Sequence, residues 1–167
     1  MTFVMPRKRL MHALLAAGLA TCSLSAGAAT ATLEPASGSR VKGQVTFTQD
    51  GARVRATGEI TGLAPGRHGF HVHEKGDCSD PKAESAGGHL NPEGRKHGGP
   101  GSAEKHAGDF GNITASASGA ATVNTTLSGV SVAGLMGKGL IVHENADDEK
   151  TDPAGNAGAR VACGVIK

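Results

Sequence analysis

Apolar and polar residues alternate at period two along much of the chain, the pattern of half-buried β-strands. Val41, Gly43, Val45 and Phe47 share one face of a segment whose other face carries Lys42, Gln44, Thr46 and Thr48. Asp50-Gly51 follows as a hairpin signal, and Val54, Ala56, Gly58 and Ile60 then alternate with Arg55, Thr57 and Glu59. Ala64-Pro65-Gly66 turns the chain into HGFHVH. FGNITA and ATVNTTL flank Ser118-Gly119 as a second expected hairpin, and the apolar runs LIVH and RVACGVI come near the C-terminus. Beyond the N-terminal segment no window shows an apolar stripe of helical period. Many short strands with glycine turns predict an all-β antiparallel sandwich or closed barrel. Two stretches, Glu74 to Gly108 and Glu144 to Ala159, break the alternation and are rich in Gly, Pro, charge or histidine. Long loops on a rigid sheet carry function or are disordered.

Composition narrows this picture. A chain of 167 residues suits one domain, and 26 glycines, 4 Phe, no Tyr and no Trp exclude a large aromatic-lined pocket. The core must come mainly from Val, Ile, Leu and Ala. The N-terminus runs from Arg7-Lys8-Arg9 through an apolar stretch, about Leu10 to Leu24, into small residues ending at Ala26 and Ala28. That order predicts a secretory signal over residues 1–28, cleaved after Ala28, with a mature domain at 29–167. The stretch is shorter than the roughly 20 apolar residues that span a bilayer. Cys22 offers a second reading as a lipidated anchor. The formal charge of +2 includes Arg7, Lys8 and Arg9; without them 14 basic residues face 15 acidic ones, a net −1. A basic nucleic-acid binder is therefore not supported. Cys78 and Cys163 remain, and in an oxidising compartment an isolated pair is most simply a disulfide, the alternative being two separate buried thiols.

The histidines carry the chemistry. Of 8 in the chain, His12 lies in the signal. His71 and His73 stand two apart on a predicted strand, so both rings leave one face while Val72 points the other way. The following loop supplies His89, His97, His106 and then Asp109, a donor set that suits four-coordinate zinc. With His143 beside LIVH, the donors exceed what one tetrahedral ion uses, which implies two metals. Imidazole-rich sites without thiolates suit zinc and copper, and a redox reaction requires the copper.

GRHGFHVHEKGDC, GGHLNPEGRKHGGPGSAEKHAGDFGN, LIVHENADD and GNAGARVACGVIK resemble copper-zinc superoxide dismutases. The likeness covers about residues 38 to 167 with the motifs in order. KGDC, GVIK and the export signal resemble the bacterial periplasmic members. The resemblance implies a Greek-key β-sandwich, or flattened barrel, with two long functional loops. It implies copper on His71, His73, His89 and His143, and zinc on His89, His97, His106 and Asp109, with His89 bridging. It further implies that Asp147 bonds the outer nitrogens of His71 and His97, that His68 ties backbone carbonyls together, and that Cys78 and Cys163 form the family's disulfide. Arg160 matches the arginine beside the copper channel. Near ENADDEKTDPAGNAG the family's guiding lysine and channel threonine are replaced by Pro153 and Ala154, with Lys150 nearby as a further source of charge.

The implied activity is superoxide disproportionation, with superoxide as substrate and His89 as proton carrier. A metal buffer without turnover is the rival from another class, and a zinc hydrolase, which would want an open zinc position, is a third. Family members include dimers and monomers, and a homodimer is the expectation favoured here.

Overall fold

The computed structural model describes residues 1–2 and 27–167. The expected signal, Cys22 included, lies almost wholly outside the described residues. Eight strands follow in chain order: β1 (Ala28–Pro35), β2 (Lys42–Asp50), β3 (Arg53–Thr61), β4 (Gly66–His73), β5 (Asp109–Ala115), β6 (Ala121–Ser128), β7 (Gly139–His143) and β8 (Arg160–Val165). All pairings are antiparallel, in the order β5-β4-β7-β8-β1-β2-β3-β6. β1 pairs with β2 from Ala28 to Leu33 and with β8 at Glu34 and Pro35. It thus joins two four-stranded sheets into a nearly closed, flattened barrel, the all-β class that the alternation predicts.

The β2–β3 hairpin closes where Asp50 pairs with Arg53, and Gly51 takes the left-handed φ of 57° that favours glycine. The second expected hairpin is corrected. Its turn forms, with the Ser116 N–H donating to Ala120 O at 2.9 Å. Beyond it the strands part, because β4 pairs with β5 while β3 offers β6 a full ladder from Arg53↔Ser128 to Ile60↔Ala121. The turn therefore spans the two ends of the strand order.

β1 was not among the expected strands. Ala29, Ala31 and Leu33 face inward, yet alternation of Ala with Thr has too little hydrophobic contrast to stand out. Phe47, Phe70 and Phe110 meet at the centre of the core, with centroids 6.1 and 5.7 Å apart, among Leu33, Ile60, Leu127 and Leu140. The core is thus less purely aliphatic than composition suggests. A single helical turn, α1 (Val132–Leu135), is capped by the Ser131 hydroxyl, which accepts from Gly134 N–H at 3.1 Å, and buries Leu135. No helix among the described residues is long and apolar enough to cross a membrane.

Candidate metal centre

β4 is buried on both faces. Phe70 and Val72 enter the core, and His71 and His73 emerge beneath the loops with almost no exposure. The 74–108 loop then folds back along this strand. Leu90 N–H donates to Val72 O at 2.8 Å, and Val72 N–H to Gly108 O at 3.0 Å. An isolated bridge pairs His89 with His73. Backbone pairing, rather than side-chain chemistry, thus brings His89 beside the strand histidines. His143 ends β7 opposite Arg160, just past a register shift.

Two groups of donor atoms result, each lying within 4.8 Å of one another: His71, His73, His89 and His143, and His89, His97, His106 and Asp109. In the first group His71 Nδ1, His73 Nε2, His89 Nε2 and His143 Nε2 are buried without any hydrogen-bond partner. Four buried nitrogens in one place without partners would be costly unless a cation takes their lone pairs. Their outer nitrogens are occupied. His73 Nδ1 donates to Gly87 O at 2.9 Å, His143 Nδ1 to Gly158 O at 3.2 Å, and His71 Nε2 to Asp147 Oδ2 at 2.7 Å. Because carbonyls and carboxylates only accept, these bonds set the tautomers and leave a lone pair on each inward nitrogen.

In the second group His89 turns its other nitrogen, Nδ1, to Asp109 Oδ1 at 2.8 Å. His106 Nδ1 lies 3.4 Å from that same His89 Nδ1, and the buried His97 Nδ1 lies 3.2 Å from Asp109 Oδ2. Asp109 Oδ2 accepts the backbone N–H of His106 at 2.8 Å and of Gly98 at 3.2 Å. Three imidazoles and a carboxylate fit zinc; four imidazoles fit copper. His89 faces both groups.

Asp147 links them from behind, since its Oδ1 meets His97 Nε2 at 2.9 Å. A Cβ on Gly155 would collide with Asp147 Oδ1, so this position demands glycine. Asn112, which sequence reasoning missed, grips the Asp147 backbone at both ends: its Oδ1 accepts Asp147 N–H at 2.7 Å and its Nδ2 donates to Asp147 O at 3.0 Å. Asp152 was also missed; its Oδ1 accepts His97 N–H at 2.6 Å. Both partners are distant in sequence, and no local signal marks them. His68 lies between Ala64 O at 2.8 Å and His143 O at 2.9 Å, tying two carbonyls as the resemblance implies. Cys78 and Cys163 are bonded to each other.

A cavity of about 350 Å³ opens over the first group, lined by His73, His89, His143, Pro153, Ala154 and Arg160 among others. Arg160 is its sole permanently charged cation among the described lining residues. Its Nη1 and Nη2 donate to Ala83 O and Gly87 O, each at 2.6 Å. Lys150 does not line this cavity; it is exposed in the outer loop, residues 144–159.

Burial sets the electrostatics. It pushes His71 down to about 4 against the pull of Asp147, His143 down to about 3, and His73 well below its ordinary value, so these rings stay neutral at neutral pH. Burial also opposes a charge on His97, but bonds to Asp109 and Asp147 outweigh it and raise this ring to about 10. Burial opposes ionisation of the two carboxylates as well, yet their histidine partners hold both well below the usual range. The linkage has two signs. Rings depressed in the fold cost stability as pH falls through about 6.5, where the unfolded chain takes the proton first. His97 contributes stability fully below about 6.5 and loses it as pH climbs toward about 10. The metal-free protein should therefore be most stable near pH 6.5. Urea midpoints at about pH 4.5, 6.5 and 9.5 check this, and a midpoint that rises steadily with pH would contradict it.

Three comparisons bear on the chain. The family described as copper/zinc superoxide dismutase matches residues 41–166. An extracellular superoxide dismutase [Cu-Zn] of Caenorhabditis elegans is 41% identical over 133 residues, covering 74% of this chain. The chain spans 60% of that relative's length. The crystal structure of the clock protein EA4 superposes with a TM-score of 0.76 at 40% identity, covering 84% of this chain and 94% of the other.

Proposed function

This chain belongs to the copper/zinc superoxide dismutase family, and on that footing we propose that it disproportionates superoxide to dioxygen and hydrogen peroxide. In this reading His71, His73, His89 and His143 hold copper, and His89, His97, His106 and Asp109 hold zinc. The observation that carries it is the convergence of four buried, unpartnered imidazole nitrogens, one of which belongs to a ring whose other nitrogen faces the second group.

Copper, when bound, supplies a one-electron couple that takes an electron from one superoxide and returns it to the next. The chain does the rest. Arg160 draws the monoanion into the cavity, and its guanidinium is fixed in place by the Ala83 and Gly87 carbonyls. Gly87 O also accepts from His73, so one carbonyl orients both a metal-binding ring and the anion-binding group. His89 lines the cavity, and its unpartnered Nε2 is the atom assigned to hold and deliver a proton. Two superoxides and two protons give one dioxygen and one hydrogen peroxide. Asp147 keeps His71 and His97 aimed from behind.

Metal content and superoxide-scavenging rate, measured on the same copper- and zinc-reconstituted sample, test the reading. Turnover should scale with copper occupancy. Full occupancy without turnover would favour a metal buffer.

The proposal extends to export. Residues 1–28 act as a cleaved signal and 29–167 as a periplasmic domain, with a lipid anchor at Cys22 as the other outcome. Intact mass before and after reduction distinguishes these, the expected form beginning near Ala29 with one disulfide and no free thiol. A homodimer remains part of the proposal. Among the described residues Met136 is the only exposed large apolar side chain besides Met1. Light scattering on the exported form reads the mass directly.

A further inference from the structure

Glu149 lies outside both donor groups, in the exposed outer loop, and its backbone sits at a φ of 61°. A side chain with a Cβ adopts that left-handed region only at a cost, so something holds it there. Burial does not, because the side chain is 38% exposed. Its contacts do. Oε1 accepts from Arg67 Nη2 on β4 at 3.0 Å and from Asn112 Nδ2 on β5 at 3.0 Å. Oε2 lies over Gly99 of the other loop, where an added Cβ would come within 2.7 Å. So anchored, the Glu149 N–H donates to Asp147 Oδ1 at 2.6 Å, the oxygen that also meets His97 Nε2.

We infer that Glu149 is a positioning residue: its carboxylate pins the outer loop to the two barrel strands, and its backbone N–H thereby aims the Asp147 carboxylate at His71 and His97. Asn112 serves both residues, since the same Nδ2 reaches Asp147 O and Glu149 Oε1. The ion pair with Arg67 is too exposed to matter much for global stability. Its role lies instead in directing one N–H. The inference rests on the ligand assignment above only where zinc is the probe.

The glycine variant separates positioning from mere loop structure. Glu149→Gly relieves the left-handed backbone, so a residue without a further role should bind zinc as well as before or better. Positioning predicts the reverse. In the metal-free full domain, proton NMR should show faster solvent exchange of the His71 and His97 Nε2 protons. Zinc affinity, read by competition with a chromogenic chelator, should fall several-fold, less than the roughly 10–100-fold cost of losing an outer partner of a metal ligand directly. Glu149→Gln, which keeps an acceptor oxygen for Arg67 and Asn112, should recover most of both losses. Wild-type proton protection and zinc affinity in Glu149→Gly would overturn the inference, as would a Gln variant no better than Gly. The proton readout needs neither metal nor turnover, so it stands apart from any failure of the dismutase reading.

Discussion

His71→Ala should abolish superoxide turnover, to below about one per cent of wild type, and should also weaken the zinc site. Losing an outer hydrogen-bond partner of a metal ligand typically costs about 10–100-fold, so removing a donor nitrogen should cost more. The structure adds the second effect. His71 fills a fully buried position, and its Nε2 satisfies Asp147 Oδ2 at 2.7 Å. Its removal strands a buried carboxylate oxygen, a penalty of about 1–3 kcal/mol or more for a charged group. The other oxygen of that carboxylate aims His97. His143→Ala is the control. Its outer nitrogen reaches only Gly158 O, so it should lose copper and turnover while zinc affinity stays close to wild type. Metal analysis and activity on all three proteins check this. Near wild-type turnover in His71→Ala with copper bound would remove His71 from the proposed site, and equal zinc loss in both variants would contradict the Asp147 link.

Arg160→Glu should lower turnover by on the order of 10-fold or more at low salt, with Arg160→Lys falling between it and wild type. A cleft lined by one sign of charge raises encounter rates by about 10–1000-fold, and here a single cation lines the cavity. With the proposed cleavage after Ala28, the net charge of about −1 leaves steering to the local field. Lysine keeps the sign of the charge but cannot span the Ala83 and Gly87 carbonyls as the planar guanidinium does. The advantage of wild type should shrink as ionic strength rises, since screening at about 0.15 M acts over about 8 Å. Rate against salt for the three proteins at matched copper occupancy is the measurement. Equal low-salt rates for Arg160→Glu and wild type would return Arg160 to the class of ordinary surface arginines.

Much of this molecule is legible in residue order because its signals are local. Alternation at Val41–Phe47 and Val54–Ile60 is a property of adjacent side chains, and the same pleat that sends Val72 into the core sends His71 and His73 out together. Donor type is equally local: an imidazole or a carboxylate is a potential ligand wherever the chain takes it. Where contrast is weak the reading fails, as with the Ala-Thr alternation of β1. It fails differently at Ser118-Gly119, where a correct turn does not say which strand each arm will pair with.

Convergence is another matter, because it depends on partners far apart in sequence. Pairing of Leu90 and Gly108 with Val72 delivers His89 to the strand histidines, and no composition or spacing encodes that bond. Each ring's tautomer follows from the acceptor behind it, whether Gly87, Gly158 or Asp147, and an acceptor's position is defined only once the loops have docked. Asn112 and Glu149 are ordinary polar residues in the sequence; their reach to Asp147 exists because β5 and the outer loop meet across the barrel rim. Residue types establish which chemistry is possible. Long-range backbone hydrogen bonds, acting over separations at which local propensity carries no information, establish which atoms face one another.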